Sequence, residues 1–208
     1  MRKLLAALNL AILFAAAPAT AAIITPAVEY TSASTDTDGG AFTLGYTFSL
    51  SGPVTINALG VWNDGLSNNR AVGIWDSANV LVATTTVLGT DPLVGHFLWG
   101  SIADTVLAAG RYTIGAEFPA NNGPNIFPEN ALGLTTIPEY SWGTDVQSFG
   151  AGLNFPTFQT GGNYGDNGLL YANFSVTATS VPEPISITLF GAGLVGVGAF
   201  RRRRKAAA

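Results

Sequence analysis

The sequence predicts an all-β protein, an antiparallel β-sandwich of jelly-roll type, and three observations carry that prediction. Phe42, Leu44, Tyr46, Phe48 and Leu50 alternate with Thr43, Gly45, Thr47 and Ser49, a two-residue period held over nine positions. Short apolar runs recur after it, separated by turns rich in Gly, Asn, Asp and Pro. Between residues 30 and 180 no stretch repeats its apolar residues with a helical period. Seven or so short strands on this pattern make two packed sheets, with a closed barrel as the second choice.

Each element follows from its residues. Ser51-Gly52-Pro53 turns the chain after the first strand. Val54 and Ile56 begin a second, whose apolar phase slips between Ala58 and Leu59, the mark of a bulge. Asn63 to Asn69 has loop composition. Val72, Ile74 and Trp75 form a third strand, stopped by Asp76-Ser77-Ala78-Asn79, and the β-branched run Val80 to Leu88 returns from it as a hairpin. Phe97 to Ile102 is a fifth strand. Gly110 turns into a sixth, with Tyr112, Ile114, Ala116 and Phe118 on one face. The last places Leu170, Ala172, Phe174 and Val176 inward and Tyr171, Asn173, Ser175 and Thr177 outward. Residues 119–167 carry Asn121-Asn122-Gly123-Pro124, Phe127-Pro128, Ile137-Pro138, Phe155-Pro156 and Gly161-Gly162, and read as a long irregular region of the kind that holds recognition surfaces.

The two ends differ from this body. Arg2 and Lys3 precede the apolar stretch Leu4 to Ala17, and Ala19-Thr20-Ala21 supplies small residues at the right spacing for a secretory signal peptide over 1–22, cut after Ala21 or Ala22. That layout implies the general secretion machinery and signal peptidase as partners. At the other end, Pro182-Glu183-Pro184 is a rigid, solvated segment, because proline fixes φ and has no N–H. The sixteen uncharged residues Ile185 to Phe200 follow, then Arg201, Arg202, Arg203, Arg204 and Lys205. As a helix the apolar run spans roughly 24 Å, short of a hydrocarbon core of about 30 Å. It crosses if the bilayer thins and the basic stems snorkel, with the cations left on the cytoplasmic side. Gly191, Gly193, Gly196 and Gly198 open one side of this transmembrane helix to a close-packed membrane partner. An ordinary permanent anchor is the plainer reading of the same residues.

In its order of motif, short glycine-bearing span and terminal basic run, the segment 181–208 resembles the PEP-CTERM sorting signal of Gram-negative bacteria. That resemblance implies recognition and cleavage by an exosortase, a membrane-embedded cysteine protease or transpeptidase, near Pro182-Glu183-Pro184. It further implies export to the cell surface or extracellular matrix, in a system linked to exopolysaccharide and biofilm. A second resemblance covers residues 41–118. Leu44-Gly45-Tyr46-Thr47-Phe48, Gly73-Ile74-Trp75-Asp76-Ser77 and Gly110-Arg111-Tyr112 are similar to an uncharacterised β-sandwich domain of secreted bacterial proteins, which supports the fold and implies no activity.

Taking the ends away leaves one domain, 23–180, with only Arg70 and Arg111 against twelve carboxylates, a net charge of −10. Nucleic acid and anionic membrane surfaces are repelled by such a body and are poor partners. There is no cysteine, so disulfides, thiol catalysis and cysteine-ligated metals are excluded. His96 is the single histidine and no G-x-S-x-G occurs, so the residues for a serine triad or a zinc site are missing. The expectation is a non-enzymatic protein without a cofactor. Glu117, Glu129 and Glu139 would be the carboxylates of a weak glycoside hydrolase if they met in space.

Two binding possibilities remain. Asp36 and Asp38, in Asp36-Thr37-Asp38-Gly39-Gly40, have the alternation and glycine of a calcium loop but lack its later ligands, and Asn163 to Gly168 is a second oxygen-rich turn. Ordinary solvated turns use the same residues. Among the tryptophans, Trp75 belongs to the core, whereas Trp62, Trp99 and Trp142 are candidate sugar platforms. Trp142 with Tyr140, inside the irregular region, is the favoured pair for a carbohydrate-binding module. The sequon Asn173-Phe174-Ser175 falls inside a strand and carries no weight.

Overall fold

The computed structural model describes residues 23–65, 69–120, 125–159 and 168–177. The strands, in chain order, are β1 (Thr25–Pro26), β2 (Val28–Glu29), β3 (Ser32–Asp38), β4 (Phe42–Leu50), β5 (Val54–Trp62), β6 (Arg70–Asp76), β7 (Leu81–Val87) and β8 (Leu93–Val94). They continue as β9 (Phe97–Leu107), β10 (Gly110–Phe118), β11 (Asn125–Leu132), β12 (Thr135–Thr136), β13 (Tyr140–Phe149), β14 (Phe158–Gln159) and β15 (Ala172–Val176). One sheet has the order β1-β15-β5-β9-β8 and the other β14-β13-β4-β10-β6-β7, with every ladder antiparallel. The pairs nest: β6 with β7, β5 with β9 outside them, β4 with β10, then β1 with β15. Nested pairs shared between two sheets are the path of a jelly roll, and no ladder joins the two sheets among the described residues. The predicted signal peptide, the span Ile185 to Phe200 and the basic tail lie outside the described residues, within which no helix is long and apolar enough to cross a membrane.

Aromatic rings fill the space between the sheets. Phe48 of β4 stacks on Phe174 of β15 at 5.0 Å, and on Tyr112 and Tyr140 at 5.6 and 5.7 Å. Phe118 meets Tyr171 at 4.3 Å. Such pairs add about 0.5–1.5 kcal/mol each to what burial of their area already provides. Beside them Arg70, 1% exposed, donates from its Nε to the Tyr171 hydroxyl (3.1 Å), pairs with Asp64 (3.2 Å) and lies 5.0 Å over the Phe118 ring. One of the two domain cations is thus spent inside the core.

The strands expected from the alternation are present, and four differences have physical causes. The irregular region 119–167 contains β11 to β14, and β13 forms a full ladder along β4. Its period was hidden by a register shift between Trp142 and Asp145, which puts a carboxylate on the inward face where an apolar residue belongs. The stretch around Asp36 and Asp38 is strand β3, paired with β11 as a separate ribbon; with its residues largely exposed, it buries no face that would give a period. The bulge in β5 falls between Ile56 and Ala58, earlier than the apolar slip placed it. In β15 the residues assigned outward are buried too, because β1 and β2 cover them. Asn173 donates to the Val28 carbonyl (2.6 Å), and the Thr25 N–H donates to Ser175 Oγ (3.0 Å).

The other sheet is also covered in part. Thr43 Oγ1 accepts from the Asn154 N–H at 2.9 Å, and Phe155 sits edge-on to the buried Trp75. Removing the core cation should be costly, since it leaves buried acceptors behind. Arg70→Ala is expected to destabilise the fold by about 3–5 kcal/mol, read as a drop in the thermal unfolding midpoint.

Candidate functional site

Four places on the body hold groups with chemical potential. The first joins Glu29 of β2 to His96, sixty-seven positions apart in the chain. Imidazole Nδ1 and carboxylate Oε1 lie 2.6 Å apart, the other carboxylate oxygen accepts from the His96 N–H at 3.4 Å, and the ring stacks on Tyr30 at 4.8 Å. His96 is 41% exposed and Glu29 28%. An oriented histidine is half of a base–nucleophile pair, but no serine, threonine or tyrosine hydroxyl is bonded to it among the described residues. Nothing in the sequence pointed to Glu29 as its partner.

The second is the carboxylate set proposed for glycan hydrolysis. Glu117 accepts from the Gly152 N–H (3.0 Å), Glu129 from the Ser34 hydroxyl (3.3 Å), and Glu139 packs beside Gly52 in the turn that ends β4. The three occupy different neighbourhoods, so they do not form a facing pair. The third is Asp36 with Asp38. Both are exposed, and each accepts from the backbone N–H that follows it, at 2.7 and 2.6 Å. These are local turn-like bonds on a strand.

The fourth is built around the platform residues and corrects the expectation for them. Tyr140 is 7% exposed and packs in the core against Phe48, so its face is not open to a sugar. Trp142 is half-buried and packed on the core, with its indole N–H buried and without a hydrogen-bond partner among the described residues. Trp99 is 2% exposed and donates to the Val94 carbonyl (3.1 Å), and Trp62 also packs against the core. What Tyr140 and Trp142 surround is Asp145, 6% exposed, whose Oδ1 accepts from the Leu169 N–H at 2.8 Å. A Cβ on Gly168, which holds φ +46°, would strike both Asp145 and the Trp142 ring. Gly168 was legible as a turn glycine; that it seals a buried carboxylate was not. Burial pushes the Asp145 carboxyl up to about 6, against the pull of the Leu169 N–H, and burial likewise raises the hydroxyls of Tyr46 and Tyr140.

The chain's exit from the fold is equally defined. Thr25 pairs with Val176, so both ends of the body emerge side by side, and the Thr177 N–H donates to the Thr55 carbonyl at 2.9 Å. From Thr177 to Pro182 the chain reaches at most about 18 Å. Residues 180–204 match the family model of the PEP-CTERM protein-sorting motif. The chain carries a PEP-CTERM sorting signal. The signal marks an exported chain addressed to an exosortase, and it begins three residues beyond Thr177, the last of the described residues. Pro182, Glu183, Pro184 and the cations Arg201 to Lys205 lie within the match or at its edge and outside the described residues. Comparison with curated proteins and with solved structures returns no match.

The raised Asp145 carboxyl fixes the sign of one pH effect. A group whose folded pKa lies above its unfolded value stabilises below the unfolded value, 3.8, and loses that contribution as pH rises through about 6. The loss amounts to roughly 3 kcal/mol. Asp145→Asn keeps the acceptor for Leu169 without the charge. It is expected to raise the unfolding midpoint at pH 8 and to flatten the decline between pH 4 and 7 in thermal melts.

Proposed function

We propose that this is an exported, non-enzymatic protein of the cell surface or extracellular matrix, delivered as a membrane intermediate and released by an exosortase at or near Pro182-Glu183-Pro184. The signal peptide over 1–22 brings the chain to the secretion machinery and signal peptidase. Ile185 to Phe200 then holds it in the inner membrane, with Arg201 to Lys205 on the cytoplasmic side. The observation that carries this reading is the position of the sorting signal, wholly beyond the last strand of a body whose two ends leave together. Such a tail follows every described strand of the core.

The non-enzymatic part is supported by the separation of Glu117, Glu129 and Glu139 and by the engagement of His96 with Glu29 and Tyr30. The surroundings proposed for the released body are exopolysaccharide and biofilm matrix, where a net charge of −10 disfavours nucleic acid and keeps the domain soluble. The experiment is mass spectrometry of the mature protein from a host with an exosortase. A C-terminus at or near residues 181–184 is expected, and one that retains Ala208 refutes processing. Glu183→Ala should leave the unfolding midpoint unchanged while the unprocessed chain accumulates in the membrane fraction.

A further inference from the structure

Arg111 is the second of the two cations in the body, and the other is buried. It is exposed and makes no ion pair among the described residues. It lines a recess of about 190 Å³ on the outer face of the β4–β10–β6 sheet, together with Asp76, Ser77, Asn79, Thr47 and Thr113. The register explains how these distant residues meet: Thr113 faces Thr47 on one side, and Tyr112 faces Asp76 on the other. The rim is rigid. Asp76 Oδ1 accepts from the N–H groups of Ala78 and Val80 (2.9 and 3.0 Å), and the Asn79 N–H closes the turn on the Asp76 carbonyl. Asn79 holds φ +63°, and the neighbouring β9–β10 turn is tied by the Tyr112 hydroxyl to the Ala108 carbonyl. Polar groups fixed before a ligand arrives lose little freedom on binding.

We propose that this recess binds one ring of a neutral polysaccharide, which names the ligand and the place for the matrix association proposed above and rests on that reading. The lining combines a guanidinium fork, a carboxylate, an amide and hydroxyls, the mixture of donors and acceptors that vicinal sugar hydroxyls need. Its charge is balanced, one cation and one carboxylate, inside a body of net charge −10 that repels polyanions. The volume lies below the few hundred Å³ of drug-sized ligand sites, so it takes a single ring and not an oligosaccharide.

The test is binding of the full chain, purified in detergent, to arrayed neutral glycans and to polygalacturonate, at low and high salt. At least one neutral glycan should bind with little salt dependence. Arg111→Ala and, separately, Asn79→Gly, which keeps the positive φ of the turn, should each weaken binding at least about tenfold, the loss of one charge-assisted or oriented contact, with unchanged unfolding midpoints. Unaltered binding in both variants, or a salt-sensitive preference for polygalacturonate, overturns the recess. Loss of binding only in Trp142→Ala also overturns it while leaving a glycan-associated body in place. Failure to bind any arrayed glycan overturns the recess without touching the processing of the tail.

Discussion

The contact between Phe48 and Phe174 holds the architecture together. Phe48 belongs to an inner strand of one sheet and Phe174 to β15, the last strand, which is itself flanked by β1 and β5 in the other. Stacking the two rings fixes the separation of the sheets at the centre of the body. It also sets the height of β15, so that Tyr171 reaches the Arg70–Asp64 pair and Asn173 and Ser175 reach the N-terminal segment. The core is therefore closed by the strand that immediately precedes the sorting signal. Every described strand of the two sheets precedes the signal that the exosortase reads.

This order of events gives the two halves of the chain opposite physical characters. The tail concentrates five of the nine basic residues, while the body is left strongly acidic, with one cation buried and one at a recess. Within the body, stability and function pull on different groups. Arg70 is matched by Asp64, Tyr171 and the Phe118 face, whereas Asp145 sits among phenol rings with one backbone donor and is more comfortable protonated.

How much of this was legible in the sequence depends on whether a strand buries one face. β4, β6, β10 and the hairpin to β7 announce themselves because Phe48, Ile74 and Ile114 alternate with residues directed the other way. β3 and β13 stay hidden, one because it is mostly polar and largely exposed, the other because a register shift turns Asp145 inward. β15 was found but its polar residues were sent outward, since side-chain bonds to Val28 and Thr25, some 150 residues away, leave no local trace. The same limit governs the sites. The sorting signal is contiguous and readable. By contrast, Glu29 with His96, and Arg111 with Asp76, are brought together only by pairing across the fold. The aromatic platform failed for a related reason: Tyr140 and Trp142 are large apolar side chains on an inner strand, and burial claims them before any ligand does.

The claim that a finished sandwich ends at Thr177 and the tail adds nothing to it is open to one direct measurement. Thermal unfolding of the exported chain truncated after Ser180 should match that of the full chain, in midpoint and in cooperativity. A truncated protein that melts several degrees lower, or without a single sharp transition, would mean that the tail is part of the fold and would contradict the account.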